Sequence, residues 1–242
     1  MFYSYCGVKV FYQFKNKVSR NPILLLHGWG VDSSIFDGIV AQFPEKSFLC
    51  VDFPPFGKSQ KKIANFSIYS YVALIMSLCE HLCIDKCDIL AHSFGGRVAG
   101  ILASVKCSLV RSCIFVDSAG ILPKRNLKYY FKIYRYKILK KLGKSTLNCG
   151  SKDYQQLDDN MKKIFNGIVN EDITPYFKNV RCKSLIIWGE KDNETPIYMA
   201  KKIHKFIKNS QLEIIKNAGH FCFLNAPLSF NKIVGKFWEE MK

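Results

Sequence analysis

Short, unbroken apolar runs recur along the chain, separated by amphipathic stretches. Pro22-Ile23-Leu24-Leu25-Leu26-His27, Phe48-Leu49-Cys50-Val51-Asp52 and Ser184-Leu185-Ile186-Ile187-Trp188-Gly189 show no polar alternation, as expected of strands covered on both faces. Phe2 to Cys6 and Val8 to Lys15 instead alternate apolar and polar side chains around Gly7. That pattern predicts an antiparallel hairpin at the edge of the sheet. Further strands are expected from Cys87 to the Ser93 turn, over Leu109 to Asp117 and over Leu212 to Ile215. Helices should fill the intervals. Asp32 or Ser33 opens one that runs to about Phe43, and Ser67 caps another through Cys83, with Tyr71, Leu74, Ile75, Leu78 and Leu82 on its buried face. Others are expected from Gly95 to about Val105, from about Ile197 to Phe206, and from Pro227 onward.

Alternation of this kind implies the α/β class: an open, mostly parallel sheet of about eight strands with helices on both faces. In such sheets binding and chemistry collect at the carboxyl ends of the strands. The prolines of Asp52-Phe53-Pro54-Pro55-Phe56-Gly57-Lys58-Ser59 exclude a central strand there and predict a fixed loop. From Pro123 to about Tyr176 the buried-strand rhythm stops, which predicts a helical insertion at 123–176 within a core made of 1–122 and 177–242. Leu127 to Leu142 carries Tyr129, Tyr130, Phe131, Tyr134 and Tyr136, with nine Lys or Arg between Lys124 and Lys144. An amphipathic helix with packed tyrosines and solvated lysines accounts for that stretch. Contact with an anionic membrane surface is its second reading.

Composition narrows the class further. At 242 residues with 48% apolar side chains, the chain fits a single domain with an ample core. It has no apolar run of about eighteen residues and its first residues lack a signal-peptide pattern, so a cytoplasmic protein is expected. The ten cysteines are scattered, mostly in apolar segments such as those of Cys50 and Cys113, which suits buried thiols better than disulfides. Cys79, Cys83 and Cys87 are spaced like ligands, but Cys87 should open a strand, so the three would not share a helical face. The net charge of +17 comes without any nucleic-acid-binding motif. No nucleic-acid partner, metal or organic cofactor is expected.

The chemistry centres on Asp88-Ile89-Leu90-Ala91-His92-Ser93-Phe94-Gly95-Gly96-Arg97. An apolar run ends at a serine flanked by small residues, and an alanine-rich helix follows directly. A turn this tight strains the serine backbone and tolerates only small residues two positions to either side, here Ala91 and Gly95. It lifts the Ser93 hydroxyl above the sheet and aims a helix N-terminus at it. A serine hydroxyl needs a base, and the base an orienting carboxylate. Of the five histidines, His220 in Asn217-Ala218-Gly219-His220 follows the last strand and is the best base. His27 and His92 suit local packing, His81 lies within a helix, and His204 between Lys202 and Lys205 should be solvated. For the acid, Asp192 after Trp188-Gly189-Glu190-Lys191 matches the order serine, acid, histidine, with Asp117 at another strand end as the alternative. Glu190 and Glu194 are neighbours that could equally be surface charge. An oxyanion site needs two backbone N–H groups. Phe94 would supply one and the His27-Gly28-Trp29-Gly30 loop the other, through Trp29.

These segments, HGWG at 27–30, DFPPFGKS at 52–59, AHSFGG at 91–96, WGEKD at 188–192 and NAGH at 217–220, resemble the α/β-hydrolase fold family, serine hydrolase branch. The resemblance implies Ser93, Asp192 and His220 as a catalytic triad, Trp29 and Phe94 as oxyanion donors, and a cap built from the insertion. Ala91 stands where many members carry glycine. Dehalogenases and epoxide hydrolases of the family use an aspartate nucleophile, which Ser93 argues against. Trp29 and His92 differ from the longer glycine-rich segment and the asparagine of meta-cleavage C–C hydrolases. Hydrolysis of a small or medium carboxylic ester is therefore the expected activity. C–C bond hydrolysis, or a ligand receptor on the same scaffold, is the alternative.

Overall fold

The computed structural model of the chain describes residues 1–16, 19, 21–123 and 157–241. Eight strands form one sheet: β1 (Phe2–Tyr5), β2 (Val8–Lys15), β3 (Ile23–Leu26), β4 (Phe48–Val51), β5 (Cys87–His92), β6 (Val110–Val116), β7 (Lys183–Gly189) and β8 (Ser210–Ile215), in the order β1-β2-β4-β3-β5-β6-β7-β8. The β1/β2 and β2/β4 pairs are antiparallel, with Phe2 opposite Phe11 and Tyr12 opposite Val51; the remaining pairs are parallel. Every residue of β3, β4 and β5 is buried. The two edge strands β1 and β8 show alternating exposure, as one-sided coverage requires.

The helices lie where apolar periodicity places them. Ser67 caps α2 (Ile68–His81) reciprocally with Ser70, and Tyr71, Leu74, Ile75 and Leu78 form its buried stripe. The segment expected to be one helix from Asp32 is a 3₁₀ turn (Ser33–Phe36) followed by α1 (Asp37–Gln42). The Asp32 carboxylate takes both the N–H and the hydroxyl of Ser34, which tightens that first turn. α3 (Phe94–Val105) follows β5 directly, and α6 (Tyr198–Phe206) joins β7 to β8. The closing helix starts at Pro227 as expected (α8, Pro227–Glu239), after a short α7 (Cys222–Asn225). One face of the sheet, through Ile23, Leu25, Leu90 and Ile114, packs on Phe36, Phe230, Phe237 and Trp238 in a single core cluster. Strand alternation sends Phe115 to the other face, where its ring meets Phe177 at 5.7 Å.

Packing divides the chain into two units, Met1–Ile121 with Asp172–Lys242, and Leu122–Glu171. Residues 172–176, expected in the insertion, group with the larger unit. The reason is apolar: Ile173 is buried, and α5 (Thr174–Asn179) sets Phe177 against α3, where a methyl group added to Gly100 would come within 2.7 Å of its ring. The smaller unit includes α4 (Asp159–Asn170), whose cap Asp158 accepts from the Met161 N–H at 2.7 Å. The basic aromatic stretch Leu127 to Leu142 lies outside the described residues. Among the described residues no helix is long and apolar enough to cross a membrane.

Candidate active site

Ser93 sits between β5 and α3 with φ 49° and ψ −112°, a left-handed backbone that L residues adopt only at a cost. Surrounding bonds hold it there. Its N–H donates to Val116 O at 3.0 Å, and its carbonyl accepts from Ala119 and Gly96. The small neighbours are required by space: a Cβ on Gly95 would lie 2.2 Å from Leu26 O, and one on Gly96 would lie 1.7 Å from Ser118 Oγ. Ala91 is fully buried.

The Ser93 hydroxyl lies 2.9 Å from His220 Nε2, and His220 Nδ1 lies 2.9 Å from Asp192 Oδ2. This chain of hydrogen bonds joins three segments far apart in sequence. Asp192 is anchored from the other side, with Oδ1 accepting from the Glu194 and Thr195 N–H groups at 2.8 and 2.9 Å. The Thr195 hydroxyl reaches Asp192 Oδ2 at 2.6 Å. Burial opposes ionisation of the Asp192 carboxyl, but the hydrogen bond and charge of His220 outweigh it, and its pKa is lowered. The same balance acts on the imidazole: burial would lower its pKa, yet Asp192, joined by Glu194 and Asp117, raises it. A base hydrogen-bonded to a serine hydroxyl and oriented by a carboxylate is the arrangement that can remove the hydroxyl proton.

Asp117 does different work. Its Oδ1 accepts from Gly189 N–H at 2.7 Å and its Oδ2 from Cys222 N–H at 3.1 Å, so the carboxylate ties the end of β6 to β7 and to α7. Burial pushes its pKa up to about 7 against these bonds.

The loop expected to bind an oxyanion is built by His27. Phe53 N–H donates to His27 Nε2 at 2.8 Å, so the ring proton resides on Nδ1 and is donated to Gly28 O at 2.7 Å. The carbonyl and the next N–H of a trans peptide point in opposite directions. Holding the Gly28 carbonyl therefore sets the direction of the Trp29 N–H. A Cβ on Gly28 would come within 3.3 Å of Ser93 Cβ, so the loop lies against the serine. The Phe94 N–H opens α3, in the turn that has no intrahelical acceptors. The segment after β4 is pinned as expected: Asp52 Oδ1 accepts the Ser33 N–H at 3.0 Å and Oδ2 the Lys58 N–H at 2.8 Å.

His81 ends α2 beside the Tyr3 ring, at 4.9 Å, and His204 Nδ1 pairs with Ser210 Oγ at 2.9 Å. Cys79 belongs to α2, Cys83 follows it, and Cys87 opens β5. Three residues that the sequence reading left aside belong to the site. His92 is buried against the His220 ring at 4.9 Å, and its Nε2 pairs with His220 O at 2.8 Å. Burial lowers its pKa to about 3, so the ring is neutral and donates to that carbonyl. Thr195 is the second; the Asp-x-x-Thr spacing of an Asx-type turn was its available signal. Glu194 is the third, with Oε2 3.4 Å from His220 Nε2. A separate cavity of about 250 Å³, lined in part by Ile23, Asp88, Arg111 and Trp238, opens at the amino ends of the strands. Its Arg111 and Asp88 pair with each other.

Comparison with known proteins agrees with this fold. The chain is 26% identical over 259 residues to an uncharacterized hydrolase, YugF, of Bacillus subtilis (strain 168), covering 96% of this chain and 94% of that one. It is 25% identical over 271 residues to the monoacylglycerol lipase ABHD6 of Mus musculus, covering 97% and 79%. Among solved structures, the meta-cleavage product hydrolase CumD from Pseudomonas fluorescens IP01 superposes with a TM-score of 0.77 at 17% identity, covering 100% of this chain and 98% of that one. With the alpha/beta hydrolase fold model matching residues 21–137 and 119–227, the chain belongs to the α/β-hydrolase family.

Proposed function

We propose that the protein is a serine hydrolase that cleaves a carboxylic ester through an acyl-enzyme on Ser93. The observation that carries this reading is the His220 imidazole, which spans Ser93 Oγ and Asp192 Oδ2 at 2.9 Å on each side. Neutral His220 accepts the Ser93 proton at Nε2 as Oγ attacks the ester carbonyl carbon. The carbonyl electron pair moves onto oxygen, where the N–H groups of Phe94 and Trp29 receive the charge. His220 then returns the proton to the alcohol oxygen as the C–O bond breaks, and the alcohol leaves. Water repeats the sequence: His220 takes its proton, the new tetrahedral centre collapses, and Ser93 regains its hydrogen as the acid departs. Asp192 stabilises the imidazolium formed at each stage without taking up the proton.

The lipase among the relatives, similar along 97% of this chain, supports an ester as the substrate class. The likeness to a C–C hydrolase at 17% identity concerns the fold alone. The test is hydrolysis of p-nitrophenyl esters from acetyl to dodecanoyl by the wild type and by Ser93→Ala. Turnover by the wild type and a loss on the order of a thousandfold or more in the variant are expected. If neither protein acts on any ester, the ester reading is wrong and C–C hydrolysis moves ahead.

A further inference from the structure

Nothing in the proposed mechanism uses Glu194, yet it is the second carboxylate to touch the base. Its Oε2 lies 3.4 Å from His220 Nε2, the same atom that lies 2.9 Å from Ser93 Oγ. The position is anchored, because the Glu194 N–H donates to Asp192 Oδ1 at 2.8 Å. The side chain itself is 68% exposed, so it meets whatever enters from solvent.

We infer that Glu194 reads the charge of the leaving alcohol, so that the site favours esters of neutral or cationic alcohols and disfavours those whose alcohol carries a carboxylate. The inference rests on Ser93 and His220 acting as nucleophile and base. The alcohol oxygen receives its proton from His220 Nε2 and must come within about 3 Å of that atom. A charge two or three bonds beyond that oxygen then sits roughly 5–7 Å from the Glu194 carboxylate. At that separation and an intermediate dielectric, a unit charge changes transition-state binding on the order of tenfold. The acyl group is bonded to the reacting carbon rather than to the alcohol oxygen that meets Nε2, and so feels Glu194 less. The protein as a whole carries +17 and draws anions generally; Glu194 places a negative charge 3.4 Å from the base.

Butyrate esters of three alcohols form the test: choline, its uncharged isostere 3,3-dimethylbutanol, and 3-hydroxypropanoate. The kcat/KM values are compared in wild type, Glu194→Gln and Glu194→Asp. Each ratio to the dimethylbutyl ester is taken within one protein, which cancels intrinsic ester reactivity and any general loss of activity. In Glu194→Gln the choline ratio should fall about tenfold and the hydroxypropanoate ratio rise about tenfold. Glu194→Asp should retain the wild-type order, and about 1 M NaCl should shrink the wild-type discrimination. Ratios unchanged within about twofold in Glu194→Gln, while the dimethylbutyl ester is still hydrolysed, would overturn the inference alone. If the wild type hydrolyses neither these esters nor the p-nitrophenyl panel, the serine esterase reading fails and takes the inference with it.

Discussion

Two aspartates at the carboxyl ends of neighbouring strands divide their work by the direction of their hydrogen bonds. Asp192 faces His220, and Asp117 faces two backbone N–H groups. Asp192→Asn should therefore lower kcat/KM on the order of ten-thousandfold with little change in stability, because the base loses its orienting charge. Asp117→Ala should instead cost about 2–5 kcal/mol in urea denaturation, since it strands two buried donors. An activity loss confined to the Asp117 variant would reverse the assignment. The pH profile belongs to this scale too. As the proposed base, His220 acts only when neutral, and its pKa is raised above 6.5, so kcat/KM should fall as pH drops through that raised value. In Asp192→Asn the fall should move to lower pH, towards or below 6.5, although Glu194 and Asp117 still act on the ring and His92 stays neutral beside it. Asp117 has the opposite linkage. Its folded pKa of about 7 exceeds the ordinary 3.8, so the native state holds a proton that the unfolded chain releases, and this group's contribution to stability falls as pH rises between those values.

At the scale of elements, the turns after β5 and β7 are built around glycines that leave no room for a side chain. A Cβ on Gly189 would lie 2.2 Å from Gly219 O and 2.7 Å from Ala218 O, within the loop that presents His220. Gly189→Ala should push that loop outward and lower kcat on the order of a hundredfold, measured on the best p-nitrophenyl ester. Gly38→Ala is the control: it lies in α1 with nothing within 4 Å of the added Cβ, and should raise stability by about 0.5–1 kcal/mol without altering kcat. Equal losses in the two variants would show that the effect does not come from the clash.

For the whole molecule, the excess of positive charge has a consequence separate from catalysis. A net +17 predicts adsorption to vesicles containing anionic lipid at low ionic strength, read by co-sedimentation and weakened at about 0.5 M salt. Failure to bind even at low salt would remove a membrane-surface role for the basic stretch between Lys124 and Lys144. No step at Ser93 requires such a surface.

Much of this protein is legible in its sequence. Unbroken apolar runs at Ile23, Phe48 and Leu185, alternation in the first fifteen residues, and Ala-His-Ser-Phe-Gly between a strand and a helix are local patterns. Local sterics and the 2.0 and 3.6 residue periods determine them within a dozen residues. The order of segments then sufficed to nominate Ser93, His220 and Asp192. What remained were questions of approach between distant segments. Ser93 and His220 are 127 residues apart and meet at 2.9 Å, and although the order of segments favoured Asp192, Asp117 also stood at a strand end. Only packing turned one towards the imidazole and the other towards backbone donors. The same holds for Phe177, whose place against α3 was not visible, and for Ile173, which packs by Gly120. It holds also for Glu194, a surface charge by sequence and a neighbour of the base in space. Periodicity is a property of the chain, whereas burial, pKa and contact depend on what the fold brings alongside. The turn that presents Ser93 and the fold class were therefore written locally, and which aspartate faces His220 was decided by tertiary structure.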